Sequence, residues 1–266
     1  HALAEDFSKA QLKHEISQSA SSEETTEQTI SLEERYTLLD ELLKSNDYQT
    51  VERNCTISLD ASDKDGETSW EIRRTNTLEN DLVGGLMNDL TDPDILSPED
   101  TLLVYLNTLK NMSTEELGNY LNADSIISTE DPAKISLAEA LVKQVHSTFD
   151  YSIGETTVSG YTATVTANIT TFDSDAILEN YQKELDTYLA SVDAVIDGAQ
   201  KRYEKSYSLL LEYIEENTAT KTVETTFTLI NDGASWKLED AGTVFGQALF
   251  GTLSSSPVED KQETNG

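Results

Sequence analysis

Apolar residues in the second half of the chain change from helical spacing to strand-like alternation. Spacings of three and four predict three helices, at residues 97–109, 113–121 and 136–149. Alternation of apolar and polar residues then predicts strands, at 151–158, 161–170, 223–229 and 235–238. Ser159-Gly160 fits a tight hairpin turn. This order predicts an α+β fold, in which a curved antiparallel sheet packs against helices.

The segment 174–217 interrupts the strands with a long helical pattern. One continuous helix would be roughly 60 Å long at 1.5 Å per residue, which exceeds the width of a small domain. Asp197-Gly198 is a favourable place for a kink or a turn, so we predict two helices packed together. The spacing of its tyrosines is typical of packing residues rather than of a binding stripe, at positions 181, 188, 203 and 207.

A long internal repeat organises the chain. Residues 63–90 and 231–253 each contain a turn with glycine, a Ser-Trp pair, a polar spacer and an apolar run broken by glycine. The match extends upstream, where Ala2–Phe7 aligns with Ala167–Phe172. The repeat predicts tandem cone-like domains. They would be an N-terminally incomplete first domain at 1–92, a second at 93–253 and a disordered tail at 254–266.

The first copy follows the plan of the second in shortened form. Helical patterns come first and strands follow, at about 50–60 and 67–75. Residues 91–94 fit a linker, since proline after an apolar run ends a helix. The chain starts at His1 without a methionine, so we expect a signal peptide, a lipid anchor or the missing half-domain upstream.

Charge narrows the choice of partners. The 266 residues contain 50 acidic against 18 basic side chains, for a formal net charge of −32. Such a field repels phosphate backbones and anionic lipid surfaces, which argues against nucleic-acid binding. No stretch reaches the roughly 20 apolar residues that span a bilayer. An unknown protein or small ligand remains as the partner.

The single cysteine, Cys55, lies in an alternating run that ends at Leu59. A buried small hydrophobic residue is expected there. A reactive thiol would need a histidine or a cationic neighbour, and the sequence offers neither nearby.

The second copy resembles the nuclear-transport-factor-2-like (cystatin-like cone) superfamily. The resemblance rests on Ser97-Pro98-Glu99-Asp100 with its helix, on Thr114-Glu115-Glu116-Leu117, and on paired strands ending in Ser235-Trp236-Lys237-Leu238. More narrowly, the chain is similar to lipoproteins of Gram-positive and gut bacteria that have no assigned activity. This resemblance implies an extracellular protein anchored to the outer face of the bacterial membrane. The insert at 174–217 departs from the compact cone, and we expect it to cover the mouth.

Enzymes of this superfamily use carboxylates, tyrosines or histidines that point into the cone. Asp150 and Tyr161 are weak catalytic candidates, as a general base with a phenol donor. Spacing does not determine which way they point. The histidines are far apart in sequence, and His146 fits the polar face of the third predicted helix.

No metal or cofactor is predicted. Asp63-Lys64-Asp65-Gly66 imitates part of a calcium loop, but Ala61 and Ile72 occupy positions that need ligands. A polar hairpin turn explains this segment better. Glycine-rich phosphate loops, nucleophile elbows and zinc spacings do not occur in the sequence.

Two hypotheses of function follow. The favoured one is a non-enzymatic extracellular protein that binds a ligand or another protein, with a structural role in the envelope as a variant of it. The alternative is a small-molecule isomerase or dehydratase that uses a carboxylate in the cone of the second domain. That alternative needs a deep apolar pocket and a carboxyl group with a raised pKa.

Overall fold

The computed structural model describes residues 1–20, 30–50, 52, 54–64, 67–121 and 132–255. Its first part contains α1 (Ala2–Ser19), α2 (Leu32–Ser45), the hairpin β1 (Leu59–Lys64) and β2 (Glu67–Ile72), and the short helices α3 (Asn76–Leu82) and α4 (Leu86–Asp89). The helices α5 (Pro98–Asn111), α6 (Thr114–Tyr120) and α7 (Pro132–Thr148) follow. The last part contains β3 (Asp150–Ser159), β4 (Thr162–Phe172), α8 (Ser174–Leu189), α9 (Val192–Glu216), β5 (Thr220–Asn231), β6 (Trp236–Leu238) and α10 (Ala241–Phe250). The fold is α+β, as the sequence predicts.

One antiparallel sheet organises the second part, with its strands in the order β3-β4-β5-β6. The longest ladder joins β4 to β5, from Thr162 opposite Ile230 to Phe172 opposite Thr220. The much shorter β6 pairs with only the end of β5, from Leu229 to Asn231. Most of β5 is therefore held by β4.

The two faces of this sheet differ as the alternation predicts. One face buries the apolar residues of β4 and β5, which are Ala163, Val165, Ala167, Ile169, Phe227 and Leu229. Helices α5, α7 and α10 cover this face. Phe227 meets Phe245 of α10 at a ring-centroid distance of 5.2 Å. On the opposite, threonine-rich face, the hydroxyls of Thr170 and Thr222 are 2.7 Å apart.

Local capping explains where two of these helices begin. Ser97 accepts a hydrogen bond from the backbone N–H of Asp100, and Pro98 occupies the first helical turn. Ser113 and Glu116 form a reciprocal capping box at the start of α6. The third helix differs from the prediction, because α7 begins at Pro132 rather than at Ser136. Proline is favourable in a first turn, so the helix extends beyond its strongest apolar pattern.

The insert consists of two packed helices, α8 and α9, as predicted. The Tyr181 hydroxyl lies 2.6 Å from the Ser206 hydroxyl, and the Tyr188 hydroxyl donates to Asp197 at 2.9 Å. α8 ends at Leu189, and Gly198 adopts a φ of 71°, which breaks the start of α9. The tyrosines therefore serve packing between the two helices.

This helical pair lies against the helical layer. α9 packs along α7, and Gln144 donates to the backbone oxygens of Ile214 (2.6 Å) and Asn217 (3.1 Å). Ile214 and Tyr207 are buried in the common core. The insert thus extends the helical layer beside the sheet.

The first part of the chain joins the same core through α1. α1 packs against α5, and Ile16 belongs to the hydrophobic cluster that contains Phe227. The order of elements over 2–89 (two helices, a hairpin, further helices) resembles the order over 174–250. The upstream alignment of Ala2–Phe7 with Ala167–Phe172 is wrong, because the first segment is helical in α1 and the second lies in strand β4. The division into domains at residues 92 and 93 stays a prediction.

The first predicted strand of this part is largely wrong. We expected it over about 50–60, but β1 begins at Leu59, and Cys55 is exposed rather than buried. The reason is pairing: β5 is extended because β4 lies beside it, whereas within the described residues β1 pairs with β2 alone. A strand without a neighbour leaves its backbone groups unsatisfied by the sheet.

Two further expectations fall partly or wholly outside the described residues. The turn predicted at 63–66 includes residues 65 and 66, although the pairing of Lys64 with Glu67 places a hairpin there. Residues 256–266 of the predicted tail are also outside the described part.

We predict that Leu106→Ala lowers the free energy of unfolding by about 2–5 kcal/mol, because it leaves a cavity in a fully buried site. Leu103 lies on the same helix and is substantially exposed, so Leu103→Ala is the matched control and should cost about 1 kcal/mol or less. Equilibrium denaturation with urea measures both values. Equal losses for the two variants would contradict the assignment of the core.

Candidate functional site

The structure places the two weak catalytic candidates far apart. Asp150 begins β3 and forms an ion pair of 2.7 Å with Lys110, while Tyr161 lies in the turn after β3 and is 76% exposed. The length of β3 separates them by about 30 Å at 3.3 Å per residue. The hydrogen bond from Lys110 lowers the pKa of Asp150, which makes this carboxylate a weaker base. The structure therefore does not bring this pair together.

The face of the sheet where a superfamily enzyme would hold its substrate is occupied by side chains. Val165, Phe227 and Phe245 are fully buried there, together with leucines of α5 and α10. His146 is exposed in the last turn of α7, which agrees with the polar-face interpretation.

A small cleft lies outside this interior, among α1, the segment 90–96, the first turns of α5 and the turn between β5 and β6. Its volume is 190 Å³. Typical ligand pockets enclose about 300–1,000 Å³, so this cleft suits water or a very small polar molecule. Glu15 and Trp236 are among its lining residues.

Glu15 is the titratable group of interest in the cleft. Burial raises its pKa, and the charge of Lys237 opposes that shift. The same carboxylate adds to the burial that raises the pKa of Tyr105. The sequence does not single out Glu15, because the cleft combines three segments that are distant in the chain.

The hydrogen-bond partners of Trp236 are also in this region of the fold. Its indole N–H donates to Asp94 at 2.9 Å, and the side-chain amide of Asn231 donates to the same carboxylate oxygen at 3.0 Å. The segment predicted as a linker is therefore fastened to the second hairpin.

A different surface arises on the hairpin β1–β2. The register pairs Leu59 with Ile72 and Ala61 with Trp70, so these residues share one face. We call this surface, together with Ile57, the hairpin face. Leu59 is 52% exposed, Trp70 64% and Ile72 58%. The other face is polar and includes Asp60, which pairs with Arg73.

The predicted repeat offers a comparison for this surface. Ser69-Trp70 corresponds to Ser235-Trp236, yet Trp236 is only 5% exposed and Leu229 beside it is fully buried. α5 packs against β6, and helices α5, α7 and α10 cover the apolar face of that sheet. The hairpin face thus has the composition of a core face, and within the described ranges no helix or strand packs extensively on it.

Other apolar side chains are exposed on the helices. α2 exposes Leu32 and Tyr36, and the tip of the insert exposes Val192, Val195 and Ile196. Both surfaces lie on helices. Neither corresponds, in the predicted repeat, to a buried surface that would indicate what packs on it.

Two further properties of the described residues concern membranes and metal ions. None of their helices has the length and apolar character to cross a bilayer. Within those same ranges, histidine, cysteine, aspartate and glutamate side chains do not gather into a group of three suited to a metal ion.

Comparison with known proteins gives one match, to a solved structure. No protein-family model matches the sequence, and no curated protein matches it. One solved structure is similar, that of a candidate lipoprotein (ycdA) from Bacillus subtilis, with 13% sequence identity and a TM-score of 0.33. The match covers 71% of this chain and 64% of that one. At this TM-score the likeness carries no argument about function, and the cone superfamily stays a prediction.

Glu15→Gln provides a pH test of the cleft. A carboxyl group whose pKa is raised by folding contributes stability at low pH that is lost as pH rises through the folded pKa. As the pH rises above 4.5, the ordinary pKa of a glutamate, the free energy of unfolding of the wild type should therefore fall relative to that of Glu15→Gln.

The control is Glu41→Gln, which removes the same charge from a position on α2 that does not line the cleft. Urea denaturation between pH 4 and 8 measures the difference. If the two variants track each other across this range, burial of Glu15 has no energetic consequence.

Proposed function

We propose that this protein is a non-enzymatic binding protein that recognises another protein through the hairpin face. We also propose that it acts on the outer surface of a bacterial cell, held by a lipid anchor. One observation carries the proposal of binding: Trp70 is exposed at a position where the repeat buries Trp236.

The energetics favour an occupant for this face. Fully burying an exposed leucine- or isoleucine-sized side chain contributes about 1.5–3 kcal/mol, and the face offers several such residues. Contiguous apolar patches on soluble proteins mark interaction sites. Exposed tryptophan is also the residue type most enriched among interface residues that dominate affinity.

The hairpin has little support from the rest of the fold. Within the described residues it has no extensive contact with another helix or strand, and isolated two-stranded hairpins are marginally stable in water. A partner that covers the apolar face would therefore stabilise both the complex and the hairpin itself.

Charge limits the chemistry of the partner. A net charge of −32 disfavours association with acidic surfaces and accelerates encounter with basic ones. The partner should therefore present an apolar patch with an uncharged or basic rim.

The enzyme alternative receives less support. It requires a deep apolar pocket in the sheet interior, where Phe227 and Phe245 are packed together. Glu15 has the raised pKa that such an enzyme needs, but it lies in a cleft of 190 Å³ outside that interior. A binding role requires neither feature.

The proposed location can be tested through the lone thiol. Cys55 is the single cysteine of the chain and it is exposed, so a membrane-impermeant maleimide should label it on intact cells. Cys55→Ser should abolish this labelling. Labelling that appears only after lysis would contradict an extracellular location.

Binding can be tested with a photocrosslinker attached to Cys55. The control is the double variant Cys55→Ser/Ser69→Cys, which moves the probe to the polar face of the same hairpin. We expect one reproducible adduct from Cys55 on intact cells that produce the protein, and none from position 69.

Trp70→Ala should reduce the yield of this adduct at least about tenfold, because loss of a central interface tryptophan typically costs about 2 kcal/mol of binding free energy. Tyr161→Ala removes an equally exposed aromatic from a distant turn and should leave the yield unchanged. Equal adducts from both faces, or no effect of Trp70→Ala, would overturn the proposal.

A further inference from the structure

We infer that the partner contributes a β-strand, which pairs antiparallel with residues 54–59 and extends β1 toward the N-terminus. This inference rests on the proposed function, since it names how the hairpin face is completed. The occupant is an extended segment with the chemistry of β4, in which uncharged polar residues alternate with small or β-branched apolar ones.

The sequence places residues 54–59 in a strand position. Thr50-Val51-Glu52 repeats Thr222-Val223-Glu224 of β5. Counting forward from these triplets, Cys55 corresponds to Phe227 and Ile57 to Leu229. Both residues of β5 are fully buried, whereas Cys55 and Ile57 are exposed.

The structure shows what holds the corresponding part of β5. Residues Thr220–Ile230 pair with β4, and β6 reaches only the last positions of the strand. In the first part of the chain, β2 pairs with residues 59–64, but among the described residues β1 has no strand on its other edge. Residues 54–58 carry no strand, although their sequence alternates as β5 does.

An open strand edge is a site for strand addition. Its N–H and C=O groups bind an extended segment, and side chains on alternate positions provide specificity. The apolar residues of the hairpin face would then become one half of a larger apolar surface, as the residues of β5 are beside β4.

β4 defines the chemistry that fits this edge. Ala163 lies opposite Leu229 and Val165 opposite Phe227, so small residues on one strand accommodate large ones on the other. In the inferred pairing, small or β-branched residues of the occupant would lie opposite Ile57 and Cys55.

Charge selects among possible occupants. In sequence, the edge is flanked by three acidic residues and two basic ones, which are Glu52, Asp60, Asp63, Arg53 and Lys64, and β4 itself has no charged residue. An uncharged or basic strand complements this edge, whereas a second copy of the chain would bring another net charge of −32. We therefore commit to an uncharged strand from a partner rather than to a second copy.

The test uses a synthetic peptide with the sequence of Thr162–Phe172, added to the intact protein. The readout is amide hydrogen exchange at Cys55 and Ile57, because unpaired amides exchange fast and strand pairing protects those that face the new strand. The backbone of Ser58 already faces β2, where its carbonyl accepts a hydrogen bond from Arg73 at 2.8 Å, so the amides at 55 and 57 face the open edge. We expect at least about tenfold slower exchange there at saturating peptide. A control peptide with Val165→Pro should not protect, since proline cannot donate to the ladder.

A protein variant gives a second control. Ile57→Pro removes a donor from the inferred edge, and it alters a residue outside the strands of the free protein. This variant should unfold at the wild-type urea concentration and should lose the protection by the peptide.

Three outcomes would overturn the inference. The first is unchanged exchange at Cys55 and Ile57, and the second is equal protection by both peptides. The third is protection without peptide in a species that light scattering identifies as a dimer, which would make a second copy the occupant. If exchange is unchanged while the Cys55 adduct still forms, strand addition is wrong and the proposed binding function stands.

Discussion

The pairing of β4 with β5 is the interaction on which the rest of the structure depends. It aligns Val165 with Phe227 and Ala163 with Leu229, which creates one continuous apolar face. Helices α5, α7 and α10 cover that face, and α1 packs on α5. Even the insert depends on it, because α8 and α9 connect these two strands and α9 packs on α7. Without this ladder the helices would have no common surface to bury.

The same constraint explains the exposed hairpin. β1 and β2 carry the Ser-Trp motif and the alternation of β5 and β6, but within the described residues they have no strand in the position of β4. Their apolar residues consequently remain on the surface. Because burial of such residues is favourable and their exposure is costly, the hairpin face is where we propose that a partner binds. The cleft at Glu15, by contrast, is too small to suggest a substrate.

Sequence reasoning succeeded where the determining interactions are local. Ser97 and Ser113 begin helices through bonds to residues three positions away, and the alternation in β4 separates a buried from an exposed face. It failed for Cys55, whose environment depends on a strand that would have to come from elsewhere. It also missed Glu15, because the burial that raises the pKa of this carboxyl comes from packing between distant segments.

The sequence by itself determined the α+β class, the starts of α5 and α6, the amphipathic strands and the packed helical pair at 174–217. Each follows from periodicity, capping or the length of a helix, which act over a few residues. Only the tertiary structure decided that the sheet interior is filled, that Asp150 and Tyr161 lie far apart, and that Trp70 is exposed while Trp236 is buried. These properties depend on which distant segments meet, and local pattern carries no information about that choice.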